Sequence, residues 1–258
     1  MYLKRISLIF LLLLSLYNLR AQFPRFKALA FYSEDVEQAH VEFAHDAIKF
    51  FEDLSSGDGF VFETTSNMND LNAENLNDYS EIIMLNDSPR TEEQRKAFQK
   101  YMEEGGGWFG FHFSAYNDGS TNWPWFLDFL GGGVFWRNNW PPMPAKLLVN
   151  NALHKVTWAL PRTFVSPINE WYQWKPSPRL NPDVEVLVSL SEDNYPFGLK
   201  DIIADGDCPV VWTNKKFRMI YMNMGHGNRI FTDPTQNMLI ISGFRWVVAS
   251  DQKGNVFE

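Results

Sequence analysis

The sequence predicts an α/β domain, a mostly parallel sheet covered by helices. Two observations carry this. Short apolar runs, at 26–32, 81–85 and 108–111, alternate with stretches whose apolar residues recur every three or four positions. A parallel sheet with helical crossovers needs that alternation. The composition also supports a large core: 45% of the 258 residues are hydrophobic and 16% aromatic. The core must hold the fold by itself, because Cys208 is the one cysteine and no disulfide can form within the chain.

The elements follow in order. Residues 1–21 read as a leader. Lys4 and Arg5 precede an apolar run from 6 to 16, broken only by Ser7 and Ser15, and Ala21 offers a small residue at the cut. This is the three-part pattern of a signal peptide, and its apolar part is shorter than the ~20 residues a membrane span needs. The expectation is an exported chain, periplasmic or extracellular, with no stable membrane insertion after cleavage. Residues 22–258 then form a single domain. Residues 26–32 fit a first strand. Val36, His40, Phe43, Ala44, Ala47, Ile48 and Phe51 fall on one helical face, and Gly57 and Gly59 end that helix. A second strand is expected at 60–63, a polar connector with one helical turn through Leu71 and Leu76, and a buried third strand at 81–85. Thr91 and Gln94 make a capping box for a helix over 91–102. The glycines at 105–107 stop it, and the fourth strand runs over 108–111.

The second half is less regular. Pro124 opens a short helix at 123–130, which Gly131, Gly132 and Gly133 break. Residues 138–144 read as rigid loop, and the long stretch around 131–181 as a loop or lid region. Strands are expected at 145–149 and 184–190, a hairpin at 209–213 and 217–222 about a turn at 214–216, and a closing helix at 232–249.

Several chemistries are excluded early. The chain carries a net charge of -8, and its leader holds three cations and no acid. An acidic surface without a basic cluster argues against a nucleic-acid partner. Neither G-x-G-x-x-G after the first strand nor a G-x-x-x-x-G-K-[ST] run is present, so no nucleotide cofactor is expected. C-x-x-C, H-E-x-x-H and G-x-S-x-G are absent as well. Any metal site must therefore be assembled from distant residues.

In an open parallel sheet, ligands bind beyond the carboxyl ends of the strands. His112 and Ser114 directly follow the fourth strand, and His226 follows the last one between two glycines that leave its ring room. These two histidines are the candidate catalytic imidazoles. Their structural alternative is a brace at the sheet edge. His154 lies in a loop, as a ligand contact or a local brace. His40 and His45, five apart on one helix, are poorly spaced to share an ion and read as packed histidines. If 169–174 is extended, Glu170, Tyr172 and Trp174 share a face, and a carboxylate, a phenol and an indole suit a polyol or sugar. Tyr116, Asn117 and Asp118 supply polar groups just past the fourth strand.

These residues carry a resemblance. Gly105-Gly106-Gly107-Trp108-Phe109-Gly110-Phe111-His112 resembles the G-G-G-x-x-G-I-H motif of the ThuA-like family, named for trehalose utilisation. Gly131-Gly132-Gly133-Val134-Phe135, Asn169-Glu170-Trp171-Tyr172, Pro209-Val210-Val211-Trp212 and Met224-Gly225-His226 resemble further family segments in order, across residues 26–249. The resemblance implies a flavodoxin-like, class I glutamine amidotransferase-like fold, with helices on both sheet faces. In true amidotransferases a nucleophilic cysteine occupies the turn where the His112 region stands here, so glutamine hydrolysis is not expected. The resemblance implies metabolism of trehalose-like disaccharides, through 3-keto sugars, and a pocket able to hold a metal. His112, Glu170 and His226 carry over as the catalytic residues and as ligands for a divalent ion such as zinc. His154 matches a family histidine usually followed by proline, where this chain has Lys155. Asn169 stands for the usual Asp.

Three functions remain open on this reading: a carbohydrate-processing hydrolase, lyase or isomerase; a non-catalytic carbohydrate-binding protein; and a structural or interaction domain. Ser114, Tyr116, Asn117, Asp118, His154, Tyr172 and Trp174 are the expected sugar contacts.

Overall fold

Strand β1 (Lys27–Phe31) opens the computed structural model, which describes residues 26–193 and 207–249. The expected leader lies outside these residues. Helix α1 (Gln38–Asp58) follows and buries His40, Phe43, Ala44, Ala47 and Phe51 of the expected stripe, with Val41 beside them, whereas Val36 precedes the helix and Ile48 is half-buried. It runs through Gly57 and stops at Gly59, which takes a left-handed conformation and caps Ser55. Next come β2 (Val61–Thr65), the one-turn helix α2 (Ala73–Leu76) and β3 (Glu81–Met84), buried at every position. The Thr91–Gln94 capping box is formed in both directions and starts α3 (Glu92–Glu103). β4 (Gly107–Phe111) is again wholly buried, and α4 (Pro124–Phe129) has its proline at the first turn.

The stretch 131–181 departs from expectation. Besides β6 (Met143–Val149), expected at 145–149, it holds three further strands where loop was expected: β5 (Val134–Asn138), β7 (Thr163–Asn169) and β8 (Tyr172–Lys175). Residues 138–144, expected as rigid loop, contain the end of one strand and the start of the next. Proline hid β7, since Pro167 lies inside it. Proline interrupts apolar alternation yet is tolerated at a sheet edge, and β7 is the edge strand. β9 (Val184–Leu190), β10 (Pro209–Asn214), β11 (Arg218–Met222) and α5 (Pro234–Ala249) complete the described chain close to their expected places.

Nine strands form one sheet in the order β2-β1-β3-β4-β11-β10-β9-β6-β7. From β2 to β11 every neighbour is parallel, the flavodoxin-like half. From β11 to β7 every pairing is antiparallel. β5 and β8 make a separate two-stranded ribbon. One apolar cluster packs α1 and α5 against one sheet face, through Phe43, Phe51, Leu239 and Phe244. The other packs α2, α3 and α4 against the opposite face, through Leu76, Phe98, Phe126 and Phe129. No described helix is long and apolar enough to cross a membrane.

Candidate functional site

Beyond the carboxyl end of β4, the chain enters a short 3-10 turn (His112–Ala115). His112 stands there with φ 39°, the sole non-glycine residue at positive φ among the described residues. A left-handed backbone costs an L residue about 1–2 kcal/mol, so something must hold it. Its imidazole Nδ1 is 2.9 Å from the Asn223 carbonyl oxygen, and its own carbonyl accepts the Tyr221 hydroxyl at 3.0 Å. Gly225 makes room for this: a Cβ there would sit 2.4 Å from the His112 Cβ. The glycine beside His226 thus serves the other histidine.

Two buried asparagines lace the strand ends together. Asn223 accepts the Tyr172 N–H on its side-chain oxygen and donates to the Tyr221 hydroxyl, both at 3.1 Å. Asn169 accepts the N–H groups of Gly225 and His226, each at 3.1 Å, and donates to the carbonyls of Glu170 and Asn223. This corner delivers Glu170 to the site. Its Oε2 lies 3.3 Å from His112 Nε2, and its Oε1 accepts the Asn138 amide. The Tyr172 ring covers His112, with centroids 4.0 Å apart.

The electrostatics of the pair follow from these contacts. A carbonyl can only accept, so His112 Nδ1 carries the proton directed at Asn223. Burial, the largest influence, pushes the His112 pKa down even though Glu170 pulls it up. A neutral ring protonated at Nδ1 turns the Nε2 lone pair toward a carboxylate oxygen. Two acceptors face each other, an arrangement that calls for a proton or a cation between them.

A third imidazole completes the cluster. His40, from the first turn of α1, is 4% exposed, and its Nε2 has no hydrogen-bond partner among the described residues. Its ring centroid lies 5.2 Å from both His112 and His226. Burial, then the two neighbouring histidines, push its pKa down to about 3. His226 Nε2 is 3.4 Å from Glu37 Oε1 at the start of the same helix. His112 Nε2 lies 3.3 Å from Glu170 Oε2, and the His112 and His226 ring centroids are 5.9 Å apart. Ligand-atom spacing groups these residues differently from the expected trio. Among the described residues, ligand atoms within 4.8 Å of one another form two sets: His40, His112 and Glu170; and Glu37, His40 and His226. Both centre on His40, which sequence reasoning set aside after looking for its partner on its own helix. The partners arrive from other strand ends instead. The available signal was position, since Glu37 and His40 follow β1 directly, at the ligand-binding edge of the sheet.

A cavity of about 600 Å³ lies against this cluster, lined by Glu37, His40, Arg90, Tyr116, Asp118 and Trp123 among others. The expected sugar contacts divide around it. Tyr116 and Asp118 line it, and hydrogen bonds from Ser120 and Thr121 hold the Asp118 carboxyl below its usual range. Ser114 is buried, with a hydroxyl lacking a partner among the described residues. Asn117 is buried as a brace, donating to the carbonyls of Ala115 and Gly133. Trp174 packs into the core on Trp212 and Tyr221. His154 is elsewhere, against Trp246 near the amino ends of β4 and β11.

Comparison with known proteins places this geometry in context. The model of the ThuA family, described as trehalose utilisation, matches residues 27–247. A ThuA-like protein from Bacteroides uniformis is 57% identical, with a TM-score of 0.86, over 90% of this chain and 95% of that one. A ThuA-like protein from Parabacteroides merdae is 18% identical, with a TM-score of 0.66, over 90% and 92% of the two chains. The glutaminase domain of a Trypanosoma brucei CTPS shares the fold at 11% identity and a TM-score of 0.54, over 86% and 94%. No curated protein matches the chain.

Proposed function

The chain belongs to the ThuA family, whose description is trehalose utilisation, and on that premise we propose that it is a carbohydrate-processing enzyme working through the His112–Glu170 pair. A carbohydrate-related function follows from the family. The substrate we assign is a disaccharide or a keto sugar derived from one. The residues act as follows. Glu170, held by Asn138, takes a proton from the sugar, and His112 shares it through Nε2. Tyr172 shields the pair, and burial keeps its phenol far above the usual range, so it remains a donor.

In place of that shared proton, the orphaned Nε2 of His40 and the facing acceptors of His112 and Glu170 fit a divalent ion such as zinc, which accepts mixed nitrogen and oxygen donors; with the ion bound, His112 and Glu170 would act as ligands rather than as the base. His40, His112 and Glu170 would hold it. The chemistry it supplies when bound is polarisation of a substrate oxygen. The observation that carries the proposal is the lone pair of His112 directed at a carboxylate in a buried site.

Turnover of disaccharides and their 3-keto forms tests it. Glu170→Gln and His112→Ala should each lower kcat by roughly a hundredfold or more while substrate still binds. Sugar binding unaffected by either change and without turnover in the native chain would mark a carbohydrate-binding protein instead. Elemental analysis of untagged protein, after zinc or manganese addition and desalting, should find about one ion per chain, lost in His40→Ala; none in the native chain would remove the metal from the proposal. The leader belongs to the same reading, and N-terminal sequencing of exported protein should begin near residue 22.

A further inference from the structure

Two tryptophans stand out in solvent, Trp140 at 73% exposure and Trp158 at 71%. Trp158 follows His154, at the pole away from the catalytic pair, and its N–H donates to the His154 carbonyl at 2.9 Å. Trp140 adjoins the pair. Among the described residues its side chain has no ring, cation or hydrogen-bond partner. The loop that carries it is nevertheless fixed, and fixed to the segment that carries Glu170. The Asn138 amide donates to Glu170 Oε1, and Asn139 Oδ1 accepts the N–H of the next residue, Trp171, at 2.6 Å. The Asn139 amide also donates to the Pro141 carbonyl at 2.9 Å, spanning Trp140. Pro141 and Pro142 then stiffen the chain beyond it. Trp136, earlier on the same ribbon, makes the contrast: the Lys175 ammonium and the Arg137 guanidinium stand 4.1 and 4.5 Å from its ring centre.

We propose that Trp140 is the platform for the second ring of a neutral disaccharide, an inference that rests on the carbohydrate reading of the His112–Glu170 pair. The cavity of about 600 Å³ counts His40 but not Glu170 among its walls, and it has room for the first ring. Trp140 is tied to the Glu170 side of the pair, so a sugar held at both places lays its linkage across the catalytic residues. An indole face matches the apolar C–H face of a pyranose, and an exposed position leaves the sugar hydroxyls in water. Because the loop is braced by its own side chains, little freedom is lost when the ring is covered. Charge selects an uncharged sugar. Asp35, Glu37, Asp87 and Asp118 line the cavity against Arg90 and Arg95. Arg90 is paired with Asp87 at 2.7 Å, and Arg95 donates to the Pro89 and Asn122 carbonyls. A phosphate or carboxylate on the sugar would meet the remaining acids.

Isothermal titration calorimetry of the purified chain with trehalose, maltose and cellobiose, beside glucose, tests it. At least one disaccharide should bind roughly tenfold more tightly than glucose, and Trp140→Ala should remove that margin while changing glucose binding by less than about twofold. Trp140→Phe should restore most of the margin, since a ring remains. Trp158→Ala, an equally exposed ring at the other pole, should change neither sugar. Glucose 6-phosphate should bind more weakly than glucose, and tighter binding overturns the neutral class. Disaccharide binding untouched by Trp140→Ala, or lost in step with glucose binding, overturns the platform. So does sedimentation showing a native dimer that Trp140→Ala separates, because a second copy of the chain would then cover the ring. Disaccharide binding that depends on Trp140, without turnover by the native chain, sinks the catalytic reading and keeps the platform; turnover indifferent to Trp140 does the reverse. Binding of none of these sugars removes both.

Discussion

His112 is where single residues decide most. Its left-handed backbone is stabilised by a ring bonded to Asn223 and a carbonyl bonded to Tyr221, and it survives only because Gly225 lacks a side chain. Gly225→Ala places a methyl against the His112 Cβ, so urea titration should report a loss of about 1–3 kcal/mol. Sugar turnover should fall with it as the ring leaves Glu170. His40 makes a prediction of a different kind. Its pKa is pushed from 6.5 down to about 3 in the folded chain. Below pH 6.5 the unfolded chain therefore binds a proton that the folded chain refuses. The sign is a loss of stability as pH falls from 6.5 toward 3, about 1.4 kcal/mol per pH unit from this histidine. Urea midpoints of chelator-treated protein should drop between about pH 7 and about pH 5, and His40→Gln should flatten that drop. An unchanged slope would show that the ring is charged or solvated in the fold.

Elements are decided by local chemistry that can be tested without reference to function. The capping box of α3 satisfies backbone donors at both Thr91 and Gln94. Thr91→Ala should cost about 1 kcal/mol in denaturant unfolding and leave turnover unchanged, since the residue lies on the helix start and not on the histidine cluster. In β4, Gly110 leaves space for the Trp108 indole, whose ring atoms would lie 1.9 Å from a Cβ there. The glycine-rich run before His112 thus serves helix termination at one end and indole packing at the other. The β5–β8 ribbon has a comparable double use. Its register sets Asn138 opposite Tyr172, and from there the Asn138 amide reaches Glu170.

Across the whole molecule, one sheet joins the parallel half, which carries the histidines, to the antiparallel half, which carries Glu170 at the end of β7. The site exists only while both halves are folded. Tryptophan fluorescence and far-ultraviolet circular dichroism should accordingly report coincident urea transitions for a single domain, and two separated transitions would divide the chain into independent units.

Much of this was legible before folding. Period and punctuation identified β1, α1, β3, α3, β4, the β10–β11 hairpin and α5, because each is governed by neighbours within a few residues. The strand-end rule and the motif resemblance selected His112, Glu170 and His226. Strand β6 was expected at 145–149, but β5 and the proline-interrupted β7 escaped because their stability comes from partners far away in sequence. His40 escaped for the same reason, and His154 lies at the other pole of the sheet, beside Trp246. Local periodicity reports which way a side chain faces, but only the order of strands in the sheet determines which side chains it meets.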